Sequence, residues 1–322
     1  MKKIRTLATT ALLIGVVIFG CKKDQVEPNP GAPNPGNPNP TTDLISDLFA
    51  NTGEPLQAFT MDASTWNVIT AAKGTRFYFQ PNSFVDNLGN VVSGQVDIEI
   101  KEVFSKSDMI LSNKFPIGEY GLLESGGQLF INVKQNGAKL QFGSGNSASV
   151  DLPVTGTAPQ WGMGLFIGNT ADPEADNLTW AADPDSGWAT ICVDSSNQDS
   201  SYCFNLDTMD WINLDVYMND PNQTSATVVV PGGYDDENTR VFVVFNNENA
   251  AASLTTYSNG AFVTGSGYAI GIGRSVTFVA IAIKNGEYQS AFAPTTIVAN
   301  HEEILQFSTT TKEDFETALN AL

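Results

Sequence analysis

His301 is the single histidine of this 322-residue chain, and that sets the first limit on its chemistry. One imidazole cannot furnish a two-histidine metal site. No Gly-x-Ser-x-Gly turn or other Ser/His/Asp arrangement accompanies it. Carboxylates are the remaining acid–base groups, and glycoside hydrolysis needs only two of them across a cleft. Asp97, Glu99 and Glu102 are the obvious set. Asp97 and Glu99 alternate with Val96, Ile98 and Ile100, which places them on the solvated face of a strand. No second carboxylate is marked opposite them, so no catalytic residue is assigned and the chain is expected not to be an enzyme. Calcium is the one ion with any pattern behind it. Asp172, Glu174 and Asp176 alternate, and Asp183 follows Asp172 by eleven residues. A calcium loop has acidic ligands at such positions. The mid-loop glycine is replaced by Asn177, however, and the last ligand is Asp rather than a bidentate Glu. These four are weak calcium candidates and, like Asp235-Asp236-Glu237-Asn238, read more simply as polar turns. No cofactor is expected.

Aromatic residues suggest a different chemistry. Trp161, Trp180, Trp188 and Trp211 would suit a sugar-stacking surface if they were exposed. Tryptophans in sheet sandwiches more commonly fill the core, and Trp66, in a strand-like run, reads as core too. The glycine pattern Gly265 to Gly271 has no strand–turn–helix context and reads as a turn leading into a strand. After Cys21 only two cysteines remain, Cys192 and Cys203. They flank the polar turn Ser195 to Ser200 symmetrically, so a disulfide across a hairpin is expected in an oxidising compartment.

Export is itself read from the N-terminus. Lys2, Lys3 and Arg5 precede an apolar run from Leu7 to Phe19, the form of a secretory signal. That run is too short for a confident membrane span, which needs about 20 apolar residues. It ends Val17-Ile18-Phe19-Gly20-Cys21, which resembles the bacterial lipobox, although Phe19 is larger than usual there. The resemblance implies a diacylglycerol on the Cys21 thiol and cleavage before it. Residues 28–42, Pro-Asn-Pro-Gly-Ala-Pro-Asn-Pro-Gly-Asn-Pro-Asn-Pro-Thr-Thr, cannot form helix or sheet ladders, because proline lacks the N–H and restricts its neighbour. They are expected to be a disordered, extended tether.

Charge narrows the partners. Without residues 1–20 the chain has 13 Lys and Arg against 35 Asp and Glu, a formal charge of −22. Such a surface repels nucleic acid and anionic headgroups. Membrane contact is therefore expected through lipid, and Lys22-Lys23-Asp24 faintly resembles the charged signal that sends such lipoproteins to the cell surface. The expected location is the outer membrane, with the cell surface preferred over the periplasmic face.

The elements that must position these residues are mostly strands. Gln95 to Val103 alternates for nine residues, Arg76 to Gln80 is short and aromatic, and Leu129 to Lys134 leads into Asn136-Gly137, a hairpin signal. Ala226 to Val230, Arg240 to Phe245, Tyr268 to Ile272 and Val276 to Ile283 follow. This spacing predicts an all-β chain of one or two antiparallel sandwiches. Helix is expected only at Asp43 to Ala50 and at the C-terminus. There Thr311 caps toward Asp314, and Phe315, Ala318, Leu319 and Leu322 share a face. The expected organisation is a signal at 1–20, a lipidated tether at 21–42, an N-terminal sandwich at 43–152, a second β-rich domain at 153–310 and a helix at 311–322.

The stretches Gly74-Thr75-Arg76-Phe77, Pro81-Asn82-Ser83-Phe84, Gly94 to Val103, Asp108-Met109-Ile110 and Leu123 to Phe130 resemble uncharacterised cell-envelope lipoproteins of Bacteroidota type. Gly162 to Phe166, Trp180 and Trp211 to Asp215 fit the same pattern. The first half also resembles, distantly, the ZU5 module, a β-sandwich used in protein interaction. The resemblance implies fold and location but carries no catalytic residues. The expected function is a lipid-anchored envelope protein with a binding, adhesion or structural role. The alternatives are a glycan-binding surface lipoprotein and, less supported, a carboxylate-dependent envelope hydrolase. Partners are the membrane, through lipid, and envelope proteins or glycans.

Overall fold

The computed structural model describes residues 52–322 apart from 156–158, 177, 186 and 194–198, together with Ile45, Leu48 and Phe49. Cys21, the signal and the proline-rich stretch lie outside the described residues. The described part is all-β, with helix at Ile45, Leu48 and Phe49, inside the stretch expected to be helical, and short helices at Lys106–Leu111 and Lys312–Asn320. None of its helices is long and apolar enough to cross a membrane.

Two sandwiches account for the strands. The larger sheet of the first runs Gln57–Asp62, Gln95–Val103, Gly121–Gln135, Asp210–Tyr217, Gly164–Gly168, Trp180–Ala182 and Ile117–Gly118. Opposite it lies a sheet ordered Thr190–Val193, Ser200–Leu206, Ala148–Pro153, Arg76–Phe79 and Asn67–Thr70. Phe77, Phe79, Val150 and Leu152 from one sheet meet Val96, Ile98, Ile100, Ile131 and Leu214 from the other. The alternation expected at 95–100 is present, with Val96, Ile98 and Ile100 inward and Asp97 exposed. The Asn136-Gly137 hairpin is present too. Both residues adopt positive φ, as a primed two-residue turn requires, and Gln135 pairs with Ala138.

The second sandwich is built later in the chain. One sheet holds Thr256–Ser258, Ala261–Val263, Ala226–Val229 and His301–Ile304. The other holds Ala251–Ser253, Thr239–Phe245, Ser275–Lys284, Glu287–Thr296 and Ser308–Thr309. The division expected at 152/153 falls inside Ala148–Pro153, which pairs with Ser200–Leu206. Strands as late as Asp210–Tyr217 belong to the first sandwich, so the change of sandwich falls after Tyr217 instead.

A third apolar layer joins the two. Val103, Phe130, Trp180 and Trp211 from the outer face of the first sandwich meet Phe242, Val244, Val279 and Ile281 from the second. Gln95–Val103, Gly121–Gln135, Asp210–Tyr217, Thr239–Phe245 and Ser275–Lys284 thus bury both faces. In Thr239–Phe245, Val241, Val243 and Phe245 point into the second core while Phe242 and Val244 point into the junction. That is why Val241 to Phe245 reads as an unbroken apolar run. The C-terminal helix closes one side of this layer. Thr311 accepts the N–H of Asp314 at its start, and Phe315 and Leu319 are buried in the junction. Ile45 and Leu48 are buried in the same layer.

Candidate functional site

The five tryptophans divide sharply. Trp180 and Trp211 are fully buried in the junction, while Trp161 is 75% exposed, Trp188 74% and Trp66 58%. The core expectation for Trp66 is therefore corrected: it stands at a turn before a two-sided edge strand, where nothing covers it. Trp188 is the exposed tryptophan held beside a cavity. Its backbone makes an isolated antiparallel bridge to Gly164, and the next residue, Ala189, donates its N–H to the Met163 carbonyl at 2.9 Å. The indole lies along the Gly164 backbone, its nearest atoms 3.6 Å from where a β-carbon there would stand. One side of the ring is thus supported and the rest faces solvent.

Trp188 lines an open groove of about 850 Å³ together with Ser144, Asn146, Asp151, Asp185 and Asn205. Hydroxyls, amides and carboxylates beside one aromatic platform match what a sugar presents, hydroxyls on its rim and C–H bonds on its faces. Asp151 is already engaged, accepting the Tyr78 hydroxyl at 2.9 Å and Arg76 at 3.2 Å. The groove wall is stapled by the expected disulfide. Cys192 and Cys203 are bonded with their Cα atoms 6.0 Å apart, within the ordinary range. They are not directly opposed, however. Cys192 pairs with Ser201 and Cys203 with Thr190, so the bridge runs diagonally across the two strands. Residues 194–198 of the intervening turn lie outside the described residues.

The calcium candidates are not drawn together. Asp172 accepts the Glu174 N–H at 2.9 Å, Asp183 accepts the Asp185 N–H at 3.0 Å, and both oxygens of Glu174 accept Lys101. Among the described residues no three His, Cys, Asp or Glu side chains group as metal ligands. The strand carboxylates also separate. Asp97 is solvated, and Glu99 accepts Lys134 and Asn132. Glu102, the third candidate carboxylate, is buried; it accepts the Gln57 amide, the Lys73 and Thr75 N–H groups and the Thr75 hydroxyl. It serves as an anchor for the 71–75 turn. His301 is buried and packs on Phe278, its Nδ1 accepting the Val298 N–H at 3.3 Å.

One carboxyl is strongly perturbed without facing a cavity. Asp215 is fully buried where its strand bulges against Gly121–Gln135, accepting Asn213 beside Ser125. Burial holds it well above the usual carboxylate range, and the negative Glu124 adds to the rise. Native protein therefore keeps a proton that the unfolded chain releases near pH 4. Above that pH the unfolded state binds fewer protons, so stability falls as pH rises, by about 1.4 kcal/mol per pH unit until the folded group ionises. Asp215→Asn should remove this slope. Denaturant unfolding of both proteins at pH 5 and pH 8 checks it, and parallel curves for variant and parent would contradict a protonated Asp215.

No family model and no curated protein matches this chain.

Proposed function

We propose that this chain is a lipid-anchored protein of the outer membrane that captures glycans rather than transforming them. Its N-terminus supports the anchor: a short apolar signal ends at Gly20-Cys21, and a proline-rich stretch precedes the folded body. A charge of −22 past Cys21 argues for lipid rather than a basic patch as the membrane contact. Lys22-Lys23-Asp24 favours the outward-facing leaflet. The observation that carries the binding reading is Trp188: a solvent-facing indole braced on Gly164 at the wall of a polar groove. An aromatic plane with polar groups around it recognises a ring that is apolar on its faces and polar at its edge. The weaker hydrolase reading is not carried by Asp151, which Arg76 and Tyr78 hold in the groove wall.

A panel of neutral oligosaccharides titrated against the purified protein tests this. Binding should saturate, and Trp188→Ala should weaken it about tenfold or more, the usual cost of truncating an aromatic anchor. Its melting temperature should stay unchanged, because the ring is exposed. Trp66→Ala, away from the groove, serves as the control. Saturable binding that survives in Trp188→Ala would remove the groove from the account. No binding to any glycan would return the protein to the adhesion or structural role.

A further inference from the structure

A second cavity, of about 560 Å³, opens at the junction between the sandwiches and has the opposite character. The chain carries a formal charge of −19, yet three of its 16 basic side chains line this one recess, beside the carboxylates of Glu174 and Asp176. Lys101 projects from the outer face of Gln95–Val103, the face that carries Val103 into the junction. Lys114 follows the helix Lys106–Leu111. Each is only 2% exposed. Arg240 brings a third cation to the wall, with one nitrogen donating to the Asp236 and Thr239 carbonyls. Phe49 and Phe242, ring centroids 5.9 Å apart, supply an apolar side.

The two lysines are satisfied very differently. Lys101 donates to both carboxylate oxygens of Glu174 at 2.7 Å, but Glu174 is a surface residue whose side chain is 69% exposed. Its loop is pinned by Trp211, whose indole N–H donates to the Asp172 carbonyl at 2.8 Å. Lys114 donates to the Ser112 carbonyl at 3.0 Å and lies 5.7 Å from the Trp211 ring centre. Among the described residues no carboxylate stands within ion-pair distance of it. An ammonium has three donors, and burying one without a counter-ion costs several kcal/mol. Burial also pushes the Lys114 ammonium below its ordinary value, with Asp176 opposing and the charge of Lys101 adding to the fall. A core with no further purpose would have an apolar residue here.

We propose that this cavity binds a small organic anion, whose carboxylate, phosphate or sulfate group sits on Lys101 and Lys114 after displacing the Glu174 carboxylate. Glu174 is then a placeholder, holding one cation while the other waits for the ligand. The volume suits a monosaccharide-sized or somewhat larger molecule. The phenylalanines receive its apolar part. This site is independent of the Trp188 groove, and neither needs the other.

Calorimetric titration of the purified full-length protein in detergent, at constant ionic strength, tests it. The probes are inorganic phosphate, inorganic sulfate and glucuronate, with glucose as the neutral control. At least one anion should saturate a single site and glucose should not. Lys114→Met should weaken the anion at least about tenfold, as expected for a lost charge-assisted hydrogen bond. Glu174→Gln, which takes the carboxylate from Lys101 and is followed by its melting temperature as well, should tighten it several-fold by removing the competitor. Trp188→Ala should leave it unchanged. Absence of saturable binding by all three anions overturns the proposal, as does equal affinity in Lys114→Met. If Lys114→Met does not fold, unchanged affinity in Glu174→Gln overturns it on its own.

Discussion

Replacing Cys21 by alanine should release the exported protein from membranes completely. The variant is best made behind an ordinary cleavable secretory signal, so that an uncut apolar run from Leu7 to Phe19 cannot itself hold the protein to the bilayer. The size of the effect follows from what remains once the lipid is gone. Buried acyl chain contributes about 0.8 kcal/mol per methylene, and two or three chains give stable anchoring where one is marginal. No described helix is long and apolar enough to cross a membrane. The chain past Cys21 has 13 basic against 35 acidic residues, so anionic headgroups repel it. Nothing in that list replaces a diacylglycerol. Fractionation after salt and carbonate washing should find the parent in the membrane pellet and the variant in the supernatant. A variant that stays in the pellet would mean that the anchor lies elsewhere.

The sequence made legible those features whose cause is local. Gln95 to Ile100 alternates because one face is covered and one is wet, and the structure has it so. Asn136-Gly137 turns because both residues accept positive φ. Thr311 caps a helix because its side chain can accept the Asp314 N–H. What could not be read is whatever depends on a distant covering surface. Lys101 and Glu102 continue an amphipathic strand, yet both are buried: the second sandwich and the loop bearing Glu174 close over Lys101, and the 71–75 turn closes over Glu102. The change of sandwich after Tyr217, rather than at 152/153, is hidden for a related reason. The first sandwich is completed by strands from 164–217, and strand patterning does not say which sheet a strand joins. Tryptophan type alone could not separate Trp211 from Trp188 either. Trp211 sits in Asp210–Tyr217, flanked by Ile212 and Leu214 on a strand central to its sheet, whereas Trp188 precedes an edge strand. Burial followed strand position rather than residue identity. The disulfide shows both sides at once: flanking cysteines implied the bond, but the register by which it crosses diagonally is set by pairing in the sheet.

Trp211→Ala should destabilise the protein by about 3–5 kcal/mol, the range for removing a buried large aromatic side chain. Native stability is typically about 5–15 kcal/mol, so this is a large fraction of the total. The site has little means of collapse. Trp211 is directly paired across the sheet with Phe130, their ring centroids 5.6 Å apart, and it meets Trp180 edge-on at 6.3 Å. Three rings from three strands of one sheet brace one another where the two sandwiches meet, and Phe242, Val244, Val279 and Ile281 of the second sandwich share their apolar layer. The variant also loses the hydrogen bond to the Asp172 carbonyl and the aromatic face beside Lys114. The second loss leaves a buried ammonium with one carbonyl partner, which adds to the cost. Because the ring joins layers rather than filling either sandwich alone, its removal should do more than shift one midpoint. Denaturant unfolding should show one transition in the parent and two in the variant, as each sandwich retains its own core while the junction weakens. Trp161→Ala, at an exposed ring, should change stability by less than about 0.5 kcal/mol. A loss below about 1 kcal/mol for Trp211→Ala would show that the junction repacks freely, and that the two-sided burial of Gly121–Gln135 and Thr239–Phe245 is not there to hold the two sandwiches together.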